Sequence, residues 1–401
     1  MVPIFEETPN LAVYDVLIVG AGPAGLGCAA ALRDCGIDNI ALVDRRGVGA
    51  AFEAWPAQMR MISPSFHSNP FGQVDLNAIT PHTSPADYLH TEHPTGAEYA
   101  RYLNAIVEFY QLDVKSGIEV KGVEKADDSL TLITEGRNFQ ARHVIWTGGE
   151  FFFPRSDIRG SELCVHNSSV TDWSEMPGLE HAVIGGFESG IDAAVHLARQ
   201  GKTVHLLSRG EPWHQNSPDP SRALSPFTID RLKDVLLNAS GTVRFYKNAD
   251  IVEVTKVGED YILIDGENEP FEISTPPILA TGFRGGLGPV ASWFTDEKGH
   301  ISFTEEADES PKLANLFYSG PQLQHRQSIF CFIYKFRARF GIIARTIAER
   351  LEHQWTEPLK KWEERGFMID DLSCCEDCTC AVEPDEEVSP AEVEDYATAN
   401  H

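Results

Sequence analysis

Two glycine-rich turns constrain this chain more than any other feature. The first, Val19-Gly20-Ala21-Gly22-Pro23-Ala24-Gly25, follows the β-rich run 13–19 and opens an Ala- and Leu-rich helical pattern over 24–35; the run 39–43 then ends at Asp44. The second, Ile184-Gly185-Gly186-Phe187-Glu188-Ser189-Gly190, follows an apolar run at 182–184 and opens a helical pattern over 189–200; the run 203–208 ends at Ser208, before Arg209. Each reads as strand, turn, helix, strand, the unit of a dinucleotide-binding fold. The first glycine of each turn (Gly20, Gly185) permits the bend, and the third (Gly25, Gly190) admits close helix–strand contact. Gly22 lets the backbone approach a pyrophosphate, and Pro23 and Ala24 start a helix whose free N–H groups face it. The second turn departs from the pattern: Phe187 stands where the middle glycine belongs, so Gly186 takes over part of that role, ahead of Glu188 and Ser189.

The residues that close the two units differ in charge. Asp44 lies 24 residues beyond Gly20, and Arg209 lies 24 beyond Gly185. An acid there accepts hydrogen bonds from ribose hydroxyls, whereas an arginine forks onto a 2′-phosphate. The first unit therefore predicts FAD, with Asp44 and Arg45 at its adenosine end. The second predicts NADPH, held in part by Ser208 and Arg209, with NADH left open. The expected fold class is α/β, with two nested Rossmann-like domains. The FAD domain is discontinuous, over 10–150 and 285–352. The NAD(P)H domain covers 155–284, and an acidic, cysteine-bearing tail covers 368–401.

Composition narrows the partners. A net charge of −27 over 401 residues argues against nucleic acid and anionic membrane surfaces. The longest apolar stretch, 16–32, contains four glycines and a proline, so no membrane span is expected. The acidic N-terminus lacks the basic segment of a secretion signal, which points to the cytoplasm. Further helices are predicted at 97–111 and 228–239, a meander near 118–134, and one long amphipathic helix over 328–352.

Cys28, Cys35, Cys164 and Cys331 are scattered among apolar or mixed neighbours and read as inert small hydrophobes. Cys374, Cys375, Cys378 and Cys380 crowd into seven residues of the tail. Four such thiols suit Zn or Cu(I), a redox pair (Cys374 and Cys375) that visits the flavin, or no role at all. Their acidic neighbours disfavour the thiolate and hence fast exchange.

Thr147-Gly148 and Thr281-Gly282 each end an apolar strand. Together with VGAGPAGL at 19–26, Trp55-Pro56, the 59–64 segment that includes Ser63, GGFESGIDAA at 185–194 and LATGF at 279–283, they carry a resemblance. Over roughly 13–352 the chain resembles two-dinucleotide-domain flavoproteins of the thioredoxin-reductase-like and flavin-monooxygenase-like group. Within it, the CzcO-type monooxygenases and YpdA-type bacillithiol disulfide reductases are most similar. The resemblance implies that the 147–148 and 281–282 turns mark crossings between domains and that Trp55 and Ser63 lie beside the isoalloxazine. It implies that Gly320, with Gln322 or backbone N–H groups, replaces the Gly-Asp pair that holds the ribityl chain.

Three departures bear on the reaction. The CxxC of thioredoxin reductases is missing, with only Cys164 near its place. The glycine-motif cysteine of YpdA-type reductases is Ala24 here. Gly160, His166 and Trp173 follow the order of the monooxygenase fingerprint at overlong spacings, so His166 reads as a linker residue.

The expected chemistry begins with hydride transfer from NADPH to flavin. Two acceptors then compete: O2, in a monooxygenase acting on a small molecule, or a low-molecular-weight disulfide, in a reductase using the tail cysteines. A non-catalytic flavin sensor with a metal-binding tail is a third reading. Substrate contacts are expected from 55–90 and 320–340, and a homodimer is compatible with the group.

Overall fold

The computed structural model describes residues 13–67, 72–217, 221–326 and 328–372. Strands Val114–Ser116, Ile40–Asp44, Val13–Val19 and Phe139–Trp146 lie side by side and parallel. The C-terminal half of Phe139–Trp146 also pairs in parallel with Leu316–Tyr318, and its N-terminal half pairs with an antiparallel hairpin, Val120–Ala126 and Ser129–Thr134. Val16–Val19 and Ile40–Val43 are buried throughout, as central parallel strands covered on both faces require. Helix Pro23–Asp34 packs on this sheet through small residues. A Cβ on its Gly27 would meet the Phe340 ring at 2.0 Å, so the glycine seats helix Phe340–Arg350 directly against it.

A second sheet is parallel throughout, in the order Thr242–Tyr246, Thr203–Leu207, Glu180–Ile184, Ile278–Leu279, Val165–His166. Helices Glu188–Arg199 and Pro226–Asn238 belong to this half, and a three-stranded meander over residues 251–273 packs beside it. The whole second sheet lies between Trp146 and Leu316 in sequence, although these two residues belong to neighbouring strands of the first sheet.

Two expectations fail here. The long helix over 328–352 is broken into a two-residue strand at Ser328–Ile329, helix Ile333–Phe336, a 3-10 turn Arg337–Arg339 and helix Phe340–Arg350. Residues two apart on an α-helix face opposite sides, yet Arg337 and Arg339 are both buried. Arg337 Nη1 donates to the Asp75 and Ala78 carbonyls, and Arg339 forks onto the Asp308 carboxylate and donates to the Glu305 and Ile369 carbonyls. The tightened turn lets both guanidinium groups point inward. The tail also begins later than 368: helix Thr356–Glu364 buries Leu359 and Trp362, and Phe367, Met368 and Leu372 are buried beyond it. The cluster Cys374–Cys380 lies outside the described residues.

Candidate active site at the domain junction

The two glycine turns have nearly the same geometry. Gly20 has φ +112° and Gly185 has φ +111°, values that favour glycine. A Cβ on Gly25 would lie 2.0 Å from the Gly20 carbonyl oxygen, and one on Gly190 would lie 1.8 Å from that of Gly185. These are the close helix–strand approaches expected of the third glycines. Gly22 differs: a Cβ there would meet nothing within 4 Å, and it caps a helix with Pro23 at its first turn. That open cradle, with free helix N–H groups above it, fits the pyrophosphate of a dinucleotide.

The Asp44 carboxylate accepts from the backbone N–H groups of Ala21 (2.8 Å), Arg46 (2.6 Å) and Gly47 (2.7 Å). It is thereby fixed at the cavity wall with lone-pair capacity left for a ribose hydroxyl. Arg45 pairs loosely with Glu119, at 3.5 Å, and lies over the Phe152 and Phe153 rings. The Thr147 hydroxyl donates to the Val19 and Gly20 carbonyls and locks the first turn. Gly148 is pressed against the Gly286 carbonyl, which also accepts from Trp146 Nε1 at 2.7 Å.

These groups open on a cavity of about 630 Å³, which also reaches Trp55, Ser63, Gly320 and, in the second half, Glu188, Ser189 and Asp192. The expected site residues of the second half distribute unevenly. Phe187 packs against the core of the second sheet rather than across the turn. The Glu188 carboxylate accepts from the Ser225 N–H and the Thr228 hydroxyl, so it secures helix Pro226–Asn238; burial raises its pKa above the usual carboxylate range. Gly186 faces the buried Ser208 side chain and the Trp213 ring, and Ser208 is therefore a packing residue in this structure rather than an open phosphate ligand. Arg209 keeps 82% of its side chain exposed, with Asp250 3.9 Å away.

Three more of the expected site residues bond elsewhere than toward this cavity. Thr281 and Gly282 lie off the cavity wall. The Thr281 hydroxyl donates to the Arg155 carbonyl, and the Gly282 carbonyl accepts from the Arg155 N–H and His166 Nε2. They clamp the crossing between domains, and His166, half-buried with its pKa lowered by burial, is part of that clamp. Gln322 also turns away: its side-chain oxygen accepts from the Leu287 N–H and its own N–H donates to the Tyr318 hydroxyl, which leaves Gly320 on the wall without it.

Three wall residues escaped the sequence reading. Asn167 is 1% exposed, and neither atom of its amide has a partner among the described residues. Asp192 is buried, bonded through Oδ1 to Arg231 at 2.7 Å, with Oδ2 unpartnered. Cys331, read as an inert hydrophobe, lies on the wall, with Sγ 3.1 Å from the Ser221 hydroxyl. By contrast, burial pushes the thiols of Cys28, Cys35 and Cys164 up to about 12. Among the described residues no group of three His, Cys, Asp or Glu side chains could hold a metal ion, and no helix is long and apolar enough to cross a membrane.

Two Rossmann-type halves, one nested in the sequence of the other, open on one cavity. The chain belongs to the pyridine nucleotide-disulphide oxidoreductase family, whose model matches residues 17–320. It is 26% identical over 332 residues to a component of the alkyl hydroperoxide reductase of Staphylococcus aureus, across 79% of this chain but 55% of that protein. The chain thus spans about half the length of those relatives. It is 23% identical to the bacilliredoxin reductase Bdr of Bacillus subtilis, across 84% of this chain and 98% of that one. Among solved structures it is similar in fold to bacillithiol disulfide reductase Bdr (YpdA) from Staphylococcus aureus, with TM-score 0.69, 20% identity and coverage of 85% and 99%. It is also similar in fold to the ornithine N-hydroxylase KtzI of Kutzneria sp. 744, with TM-score 0.66, 17% identity and coverage of 85% and 100%.

Proposed function

We propose that the chain is an FAD-dependent oxidoreductase in which NADPH would reduce the flavin by hydride transfer and the two electrons would then pass to an acceptor in the junction cavity. The leading reading of the second step is flavin-monooxygenase-like chemistry. The observation that carries the proposal is that both fingerprints open on one continuous cavity, from Gly22 and Asp44 to Glu188 and Asp192. A bound flavin would supply two-electron acceptance from the nicotinamide and onward transfer. The chain's own residues bind and orient. Gly22 leaves room for the pyrophosphate, and Asp44 receives a ribose hydroxyl. Arg209, exposed at the end of the second unit, is available for a 2′-phosphate. Phe332 and Phe336 give the wall apolar surface that limits water.

The monooxygenase reading is supported by the thiols of the body: among the described residues Cys331 is the only cysteine on the wall, so no dithiol stands there. Reduction of a low-molecular-weight disulfide is the second reading. It is favoured by Cys331 itself, by the disulfide reductases among the relatives and by the unassigned tail cysteines.

Anaerobic NADPH titration of the metal-free protein tests both. Full flavin reduction by about one equivalent per flavin leaves the cysteines out of the electron path, whereas about two equivalents require an accepting disulfide. Absence of flavin reduction would sink the proposal as a whole. Cys374→Ser with Cys375→Ser leaves turnover intact under the first reading and abolishes it in a tail-dependent reductase.

A further inference from the structure

We propose that Asn167 holds the carboxamide of the nicotinamide ring and so orients that ring in the junction cavity, a role that rests on the NADPH reading of the second fingerprint. Asn167 is 1% exposed and lies on the cavity wall, and both its amide oxygen and its amide nitrogen are without a partner among the described residues. Buried polar groups are normally satisfied, so an amide with a donor and an acceptor both unused marks the place of a polar ligand.

Strand order decides which part of a dinucleotide comes to that amide. Strand Glu180–Ile184, which feeds the second glycine turn, pairs on one side with Thr203–Leu207 and on the other with Ile278–Leu279. Chain order reverses there, and ligands of open parallel sheets lie in the crevice beyond the carboxyl ends of the strands at such a point. Arg209, two residues beyond Leu207, draws the 2′-phosphate, and with it the adenosine, to the first side. With its pyrophosphate over the glycine turn, a dinucleotide then sends its nicotinamide to the other side. Val165–His166 is the strand reached there beyond Ile278–Leu279, and Leu279 stands level with both Ile184 and His166. Asn167 is the next residue, so the chain leaves the sheet there level with Gly185, two strand spacings or about 10 Å across.

A primary amide is the natural complement of another. Its N–H donates to the ligand's carbonyl while its own carbonyl accepts from the ligand's NH2 group. Within NADPH the adenine edge offers a comparable donor and acceptor, but adenine falls on the Arg209 side, which leaves the carboxamide. The backbone around Asn167 is held in advance. His166 Nε2 donates to the Gly282 carbonyl at 3.2 Å, and His166 Nδ1 accepts from the Ser168 N–H at 3.2 Å. The Ser169 hydroxyl donates to the His166 carbonyl at 2.7 Å. An amide fixed in this way sets the rotation of the nicotinamide ring, and with it the face presented for hydride transfer.

The test is equilibrium binding to the full-length oxidised flavoprotein by titration calorimetry, without turnover. The ligands are NADP+, its nicotinic acid analogue (a carboxylate for the carboxamide), its 3-acetylpyridine analogue (carbonyl kept, NH2 lost) and 2′,5′-ADP, which has no nicotinamide. The parent is expected to bind NADP+ about tenfold more tightly than either analogue, the worth of one hydrogen bond left unmade. Asn167→Leu weakens NADP+ by about tenfold or more, erases the preference over both analogues, and leaves 2′,5′-ADP within about twofold. Asn167→Asp, nearly the same size but without the NH2 group, sets a carboxylate against the nicotinic acid analogue and weakens that ligand most. Flavin absorbance and 2′,5′-ADP affinity report whether each variant is folded. Equal affinity of the parent for NADP+ and both analogues, or an Asn167→Leu protein that weakens every ligand alike, overturns the inference. Lost or shifted flavin bands in Asn167→Leu with the carboxamide preference intact also overturn it, because the amide then belongs to the flavin. A parent that binds NADP+ and 2′,5′-ADP without any carboxamide preference leaves the NADPH reading standing and removes only the role of Asn167. A parent that binds none of the four, nor NAD+, removes both.

Discussion

At the scale of single residues, the site was legible wherever one local rule decides a position. Gly20, Gly25 and Asp44 act within 25 residues of one another through backbone turns and backbone N–H groups, and the structure has each of them where the pattern requires. Arg209, which the same offset rule singles out, is exposed just beyond the end of its strand. It yields a direct prediction. Arg209→Leu raises KM for NADPH about 10- to 100-fold, the worth of hydrogen bonds to a charged group, and shifts KM for NADH by no more than about twofold. Steady-state kinetics with both nucleotides checks it, and an equal rise for the two would remove Arg209 from phosphate recognition. Asn167, Asp192 and Cys331 were not legible, because each gains its meaning from chain segments far away in sequence. A cysteine in an apolar run looks the same whether it faces a core or a cavity.

At the scale of elements, strands and helices with strong periodicity matched their expected places within a residue or two, as at Glu188–Arg199 and Thr203–Leu207. The failure at 328–352 has a physical cause that no periodicity carries. Its apolar spacing is helical, but Arg337 and Arg339 answer to carbonyls and a carboxylate on other elements. Asp308 is fully buried, sits at φ +56°, and shares its carboxylate between Arg339 and His325 Nε2 at 2.6 Å. Removing the guanidinium strands a buried charge. Arg339→Met is therefore expected to cost about 3–5 kcal/mol in chemical denaturation. Adding Asp308→Asn, a residue that tolerates the left-handed backbone, should recover a substantial part of the loss. Strict additivity of the two substitutions would show that the pair does not act as a unit.

At the scale of the whole molecule, acid should weaken the second half through one buried imidazole. His181 is fully buried in strand Glu180–Ile184; burial and the Lys202 ammonium hold its pKa down at about 4, against 6.5 for the free side chain. The unfolded chain takes up that proton first. This contribution is therefore complete above pH 6.5 and drains away as the pH falls toward 4. Unfolding free energy measured from pH 7 to pH 5 is expected to fall less steeply in His181→Leu than in the parent, and parallel curves would refute the assignment. The nested connectivity, readable in outline from two fingerprints on one chain, also bears on synthesis. On the ribosome, strand Phe139–Trp146 emerges long before Leu316–Tyr318, its partner along Val144–Trp146. Until the entire second sheet has been made, that edge offers unpaired N–H and C=O groups to any passing strand. The nascent chain thus carries a risk of mispairing until Leu316–Tyr318 has been made, and the junction cavity acquires its Gly320 wall only after that strand.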